Sequence, residues 1–164
     1  MATFKTDGLD QYIADLEKLI PTADETIKEA VRKGANVIGD EIKAALYTIP
    51  THPDDEWGTP KKPITGLTAQ EKQDVIAAFG LAPVRDDNGY INRKAGFDGY
   101  SSHKTRKYPK GIPIPLLVRR LESGSTFQRK TPIIRQAVNR ARQKALEEMQ
   151  KALEERIEQT MKEK

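Results

Sequence analysis

Thr131-Pro132-Ile133-Ile134-Arg135-Gln136-Ala137-Val138 opens a run, TPIIRQAVNRARQKALEEMQKALEERIEQTMKE over 131–163, with no Pro or Gly after Pro132. Thr is a good N-cap and Pro fits the first helical position, so the run predicts a helix over 132–163. Ile134, Val138, Ala141, Ala145, Met149, Leu153, Ile157 and Met161 recur at intervals of three and four, which puts them on one stripe. Glu147→Lys151 and Glu158→Lys162 support the opposite, charged face. Such a rod is ~45–50 Å long. That is about three times the ~15 Å radius of gyration of a compact chain this size. The far half is therefore expected to find cover on another subunit, through Met149, Leu153, Ile157 and Met161. The plainer alternative is a charged tail.

Outward from that helix, 164 residues with 37% apolar content suffice for a single domain over 1–164 with a modest core. The absence of cysteine excludes disulfides and thiolate metal sites. No apolar run is long enough for a membrane span, and the first residues lack a signal-peptide pattern. A soluble protein is expected. The net charge of +4 divides unevenly: −6 over 1–58, +8 over 59–130 and +2 over 131–164. An acidic front and a basic middle suit head-to-tail self-association, and the same middle could face nucleic acid.

Leu9, Tyr12, Ile13, Leu16, Leu19 and Ile20 predict a first helix ended by Pro21. Thr22-Ala23-Asp24-Glu25 reads as a capping box for a second. That helix presents Ile27, Ala30, Val31, Gly34, Ala35, Ile38, Ile42, Ala45 and Leu46 to the core and ends near Tyr47. Two interior glycines, Gly34 and Gly39, cost about 1 kcal/mol each against Ala, so a close backbone approach is their expected reason.

Residues 50–65 form a Pro-, Gly- and charge-rich loop that holds the one tryptophan, Trp57. Its His52-Pro53-Asp54-Asp55-Glu56 cluster falls short of a metal site, and no Glu-x-Lys strand follows to complete a nuclease. Thr68-Ala69-Gln70-Glu71 is a second capping box, opening a short helix that Gly80 is expected to close with a left-handed residue. Asn88-Gly89 predicts a hairpin within 84–97. A flexible loop at 99–111 interleaves Lys104, Arg106, Lys107 and Lys110 with Tyr100 and Tyr108, a candidate DNA contact. A short helix over 114–121 and a turn at 122–125 lead to the last helix. The expected fold class is α+β: helices packed on a small antiparallel sheet, with the long C-terminal helix.

His52 and His103 are the only histidines, with no Ser–His–acid order around them, and no phosphate-cradling Gly loop occurs. No catalytic residue, cofactor or metal is expected, and the chain does not read as an enzyme.

The order of landmarks resembles a family of neck and minor tail components of tailed phages and prophages with long non-contractile tails. The likeness runs from Gly8-Leu9 to about Ile157. It is carried by Ala44-Ala45-Leu46-Tyr47, Ile64-Thr65-Gly66-Leu67, Lys94-Ala95-Gly96-Phe97-Asp98-Gly99-Tyr100, Leu121-Glu122-Ser123-Gly124-Ser125 and Pro132-Ile133-Ile134-Arg135-Gln136-Ala137. Many members have Pro-Phe where Pro132-Ile133 stands. The resemblance implies a structural subunit of the head–tail junction in the virion, made in the host cytoplasm and self-associating as a ring around the DNA channel. Its implied partners are further copies of itself and neighbouring head-closure and tail-terminator or tail-tube proteins. It also implies turn roles for Gly66, Gly96, Gly99 and Gly124, a joining-turn role for Glu122 and Ser123, and a helix-start role for Pro132 and Ile134. The alternative is a small basic DNA-binding protein acting through residues 99–120.

Overall fold

The computed structural model describes residues 22–162, so the expected first helix over 9–20 lies outside the described residues. The fold is α+β. In chain order it runs α1 (Ala23–Tyr47), β1 (Thr51–His52), β2 (Leu67–Thr68), α2 (Ala69–Ala78), β3 (Phe79–Leu81), β4 (Arg85–Asp87), β5 (Tyr90–Asn92), β6 (Ala95–Phe97), α3 (Ile114–Ser123) and α4 (Ile133–Lys162). Among the described residues the strands form three two-stranded pieces in place of one antiparallel sheet: β1–β2 is parallel, β3–β6 and β4–β5 antiparallel.

The frame is α1 against α4. Glu41 pairs with Arg140 at 3.0 Å and Lys33 with Glu155 at 3.5 Å, so the two helices run antiparallel. The contact line on α4 is Ala137, Ala141, Ala145 and Ala152, all buried, and α1 answers with Ala30 and Gly34. A Cβ added at Gly34 would collide with Met149, its Sδ lying 2.6 Å away, with the Ala145 carbonyl oxygen at 3.2 Å. Small residues on both helices thus bring the backbones together at Gly34, whereas Gly39 makes room for the Leu81 side chain.

This arrangement corrects the inference about the long helix. Its far half has cover from its own chain as far as Leu153, because α1, with 25 residues, is itself a rod ~37 Å long. Comparison with a compact sphere overlooked a second rod lying alongside the first. Met149 is seated on Gly34 of the same chain and Leu153 is half-buried beside Ala152. Ile157 and Met161 remain exposed, at 43% and 37%.

At the other end, α2 and α3 close a core with the C-terminal part of α1 and the first turns of α4. Leu46, Ile49, Leu67, Val75, Ile114, Leu117 and Leu121 are fully buried there. Thr68 and Glu71 form the expected capping box: the Thr68 hydroxyl accepts the Glu71 amide, and Glu71 Oε2 accepts the Thr68 amide, both at 3.2 Å. Asn88 (φ 58°) and Gly89 (φ 86°) make the turn between β4 and β5, and Asp86 accepts the Gly89 amide at 2.6 Å.

Other local expectations give way to tertiary context. Thr22 makes no side-chain cap on α1. Glu25 turns instead to Lys28 at 2.8 Å, and the ammonium's hydrogen bond and charge hold that carboxyl below the usual carboxylate range. Gly80 does not close α2 with a left-handed residue; α2 ends at Ala78 and Gly80 pairs with Gly96 in extended strands. Gly96 is therefore a strand residue, not a turn. Gly66, Gly99 and Gly124 do have positive φ, at 82°, 85° and 73°. Thr131 does not cap α4 either: its hydroxyl donates to the Arg129 carbonyl, and the first side-chain-bonded amides of α4 go elsewhere. Glu122 reaches across from α3 and takes that role, accepting the amides of Ile134 (2.7 Å) and Arg135 (3.2 Å).

Candidate binding cavity and basic loop

Segments far apart in sequence line an open cavity of about 700 Å³: β1 and the loop after it, the start of α2, the loop before α3, Arg120 of α3, and the turn between α3 and α4. Backbone bonds lock the walls. The Ile64 amide donates to Phe127 O at 3.0 Å and the Arg129 amide to Ile64 O at 2.8 Å, joining the first loop to the last turn. A Cβ at Gly58 would run into the Phe127 carbonyl, so only glycine permits that approach. Trp57 and Phe127, exposed at 76% and 55%, belong to the lining.

Polar groups converge on this space. Glu71 is buried and holds Arg120 Nη2 at 3.5 Å through Oε1, while its other oxygen completes the capping box. His52 Nδ1 lies 2.9 Å from the Pro53 carbonyl oxygen, an acceptor, so Nδ1 carries the proton and Nε2 presents a lone pair in the neutral ring. Gln128, 2% exposed, donates Nε2–H to the Gly66 carbonyl at 2.6 Å, which leaves its Oε1 as the other end of the amide.

Three buried atoms of these residues have no hydrogen-bond partner among the described residues: His52 Nε2, Arg120 Nε and Gln128 Oε1. An unmatched buried donor or acceptor costs about 1–3 kcal/mol. All three residues take part in the lining, but the atoms themselves lie beneath its surface.

No protein-family model, curated protein or solved structure matches the chain. Function is therefore read from this geometry and from the residues themselves.

The basic loop stands beside the cavity. Ser101 and Ile112 close its base, the Ser101 amide donating to Ile112 O at 2.8 Å, and Thr105 and Tyr108 exchange backbone bonds inside it. Ser102 is tied to Asp74 of α2 through both its amide (2.6 Å) and its hydroxyl (2.9 Å). Lys104, Arg106, Lys107 and Lys110 are all exposed, and none pairs with a carboxylate among the described residues. Lys107 sits 5.5 Å from the centre of the Tyr108 ring and lines the cavity with it.

Of the residues singled out in sequence, His52, Asp54, Glu56, His103, Lys107 and Tyr108 come together around the cavity, while Lys104, Arg106 and Lys110 stay outside its lining. Among the described residues no three His, Asp or Glu side chains converge as a metal site would need. Sequence reasoning passed over Gln128, and it offered Arg120 only as part of the basic stretch 99–120. The available signal was Trp57: a lone tryptophan in a hydrophilic loop asks for an apolar surface nearby.

Proposed function

We propose that the chain is a non-enzymatic structural subunit of a phage or prophage head–tail junction, a neck or tail-completion component that self-associates around the DNA channel. The observation that carries this reading is the place of the family-like landmarks at the joints of the fold. Gly66 backs onto the Pro50 carbonyl, where a Cβ would collide. Glu122 caps α4, and Gly124 turns the chain between α3 and α4. Those residues serve architecture, as a scaffold subunit requires.

For self-association the support is now narrower than the whole distal half of α4. Ile157 and Met161 at the end of α4, and Ile27 (42% exposed) at the start of the antiparallel α1, leave apolar side chains at one end of the helix pair. Burying such side chains against another copy releases roughly 25 cal/mol per Å² of apolar surface. Mass measurement of the full chain across a concentration series tests this, alone and co-expressed with neighbouring head-closure or tail-tube proteins.

A second reading, DNA binding through residues 99–120, is favoured by the four exposed cations of the loop. In a neck subunit these would contact packaged DNA through phosphate charge alone, without sequence preference. A salt-titrated DNA-binding assay separates the two readings: binding by the monomer that strengthens at low salt and is lost when Lys104, Arg106, Lys107 and Lys110 become Ala favours the second.

A further inference from the structure

We propose that the outward face of the first half of α4 binds the phosphate backbone of duplex DNA, at a site separate from the basic loop. No carboxylate residue occurs between Glu122 and Glu147. The fold turns that gap in the sequence into a surface. Packing on α1 buries Ala137, Ala141 and Ala145, and the exposed residues from Arg135 to Lys144 are without exception Arg, Lys, Gln or Asn. Two of them are engaged: Arg140 pairs with Glu41 at 3.0 Å, and Gln143 donates to Glu147 at 3.0 Å. Arg135, Arg142 and Lys144 pair with no carboxylate among the described residues. Glu122 lies at the start of the helix, but its two oxygens are taken by the amides of Ile134 and Arg135.

Charge and spacing select the ligand. Arg135, Asn139 and Arg142 stand at i, i+4 and i+7, so they share one face of the helix. At 1.5 Å per residue the two arginines are ~10 Å apart along the axis. That is close to the ~12 Å width of the major groove of B-DNA. Two guanidiniums so placed meet phosphates that border a groove, while Asn139, able to donate and to accept, faces the bases and sugars between them. A duplex presents one phosphate charge per ~1.7 Å, dense enough to match three unpaired cations within ten residues. An A-form RNA helix, with its deep and narrow major groove, offers no such fit. Beyond Leu146 the sign changes: Glu147, Glu154, Glu155 and Glu158 are exposed, and they repel a polyanion. The site is therefore confined to the first half of α4, and it stands whether or not the chain forms a ring.

Fluorescence anisotropy of a labelled mixed-sequence DNA duplex of about 20 base pairs, titrated with the full chain from about 50 to 200 mM salt, tests the site. The triple variant Arg135→Gln/Arg142→Gln/Lys144→Gln changes exposed positions only, and thermal unfolding checks that its fold is kept. It is expected to bind the duplex at least tenfold more weakly than wild type at about 50 mM salt, with a slope of log affinity against log salt lower by about two to three. The variant with Lys104, Arg106, Lys107 and Lys110 replaced by Ala is expected to retain binding that the triple substitution then removes. Polyglutamate should displace the labelled duplex at least tenfold less well than unlabelled duplex, and duplex RNA of the same sequence should bind more weakly than the DNA. No binding by wild type, equal binding by wild type and the triple variant, or loss of all binding in the loop variant alone would overturn the proposal. So would RNA binding as tight as DNA, or displacement by polyglutamate as effective as by duplex, which points to an acidic protein partner. None of these outcomes reads oligomer mass, so the DNA site and the neck reading fail separately.

Discussion

Glu122 Oε1 accepts the backbone N–H of Ile134 at 2.7 Å, and Oε2 accepts that of Arg135 at 3.2 Å. One side chain at the end of α3 therefore satisfies two first-turn amides of α4 and places a negative charge at the positive end of its dipole. The joint between the core and the long helix is fixed by this carboxylate.

Glu122→Ala is expected to cost about 0.5–2 kcal/mol, the range of a lost N-cap. Glu122→Gln should cost less, since an amide oxygen still accepts one bond. Urea denaturation of the two variants checks the order.

Gly66→Ala meets two penalties. Its φ of 82° is strained for an L side chain, at about 1–3 kcal/mol, and the new Cβ would strike the Pro50 carbonyl. Pro50 O also accepts the Leu67 amide at 3.1 Å, so it cannot retreat without breaking a bond. A loss of more than about 2 kcal/mol in thermal or chemical unfolding is expected. Gly96→Ala is the control: nothing lies within 4 Å of its Cβ position, so its effect should be small.

Met149→Asp puts a carboxylate against Gly34 inside the helix pair and should destabilise the monomer by about 1–3 kcal/mol. Ile157→Asp, at an exposed position, should change monomer stability by less than about 0.5 kcal/mol. If both variants leave stability untouched, α1 and α4 do not pack as described.

Replacing Lys104, Arg106, Lys107 and Lys110 together by Ala should leave stability nearly unchanged, because all four are exposed. If the loop touches DNA, the variant loses binding and the slope of log affinity against log salt falls by up to about four. Filter binding across a salt series reads both.

Much of the frame was legible in the sequence because its signals are local. The run after Pro132 makes α4, Asn88-Gly89 makes the turn of the β4–β5 hairpin, and Thr68 with Glu71 makes the cap of α2. What was not legible depends on partners distant in sequence. The α4 cap comes from Glu122 in another helix, where Thr131 is the local candidate. The buried line of α4 follows its alanines, and the larger Met149 fits beside them because Gly34 of α1 has no side chain there. The cavity could not be read at all: its lining joins His52, Glu71, Arg120 and Gln128, which no local periodicity relates.

The most direct test of the central claim is the mass of the full chain over a concentration series, beside the double variant Ile157→Asp/Met161→Asp. A structural ring subunit predicts larger species that grow with concentration or with a co-expressed head or tail partner, and that disappear in the double variant. A monomer at every concentration, with and without those partners, would contradict it.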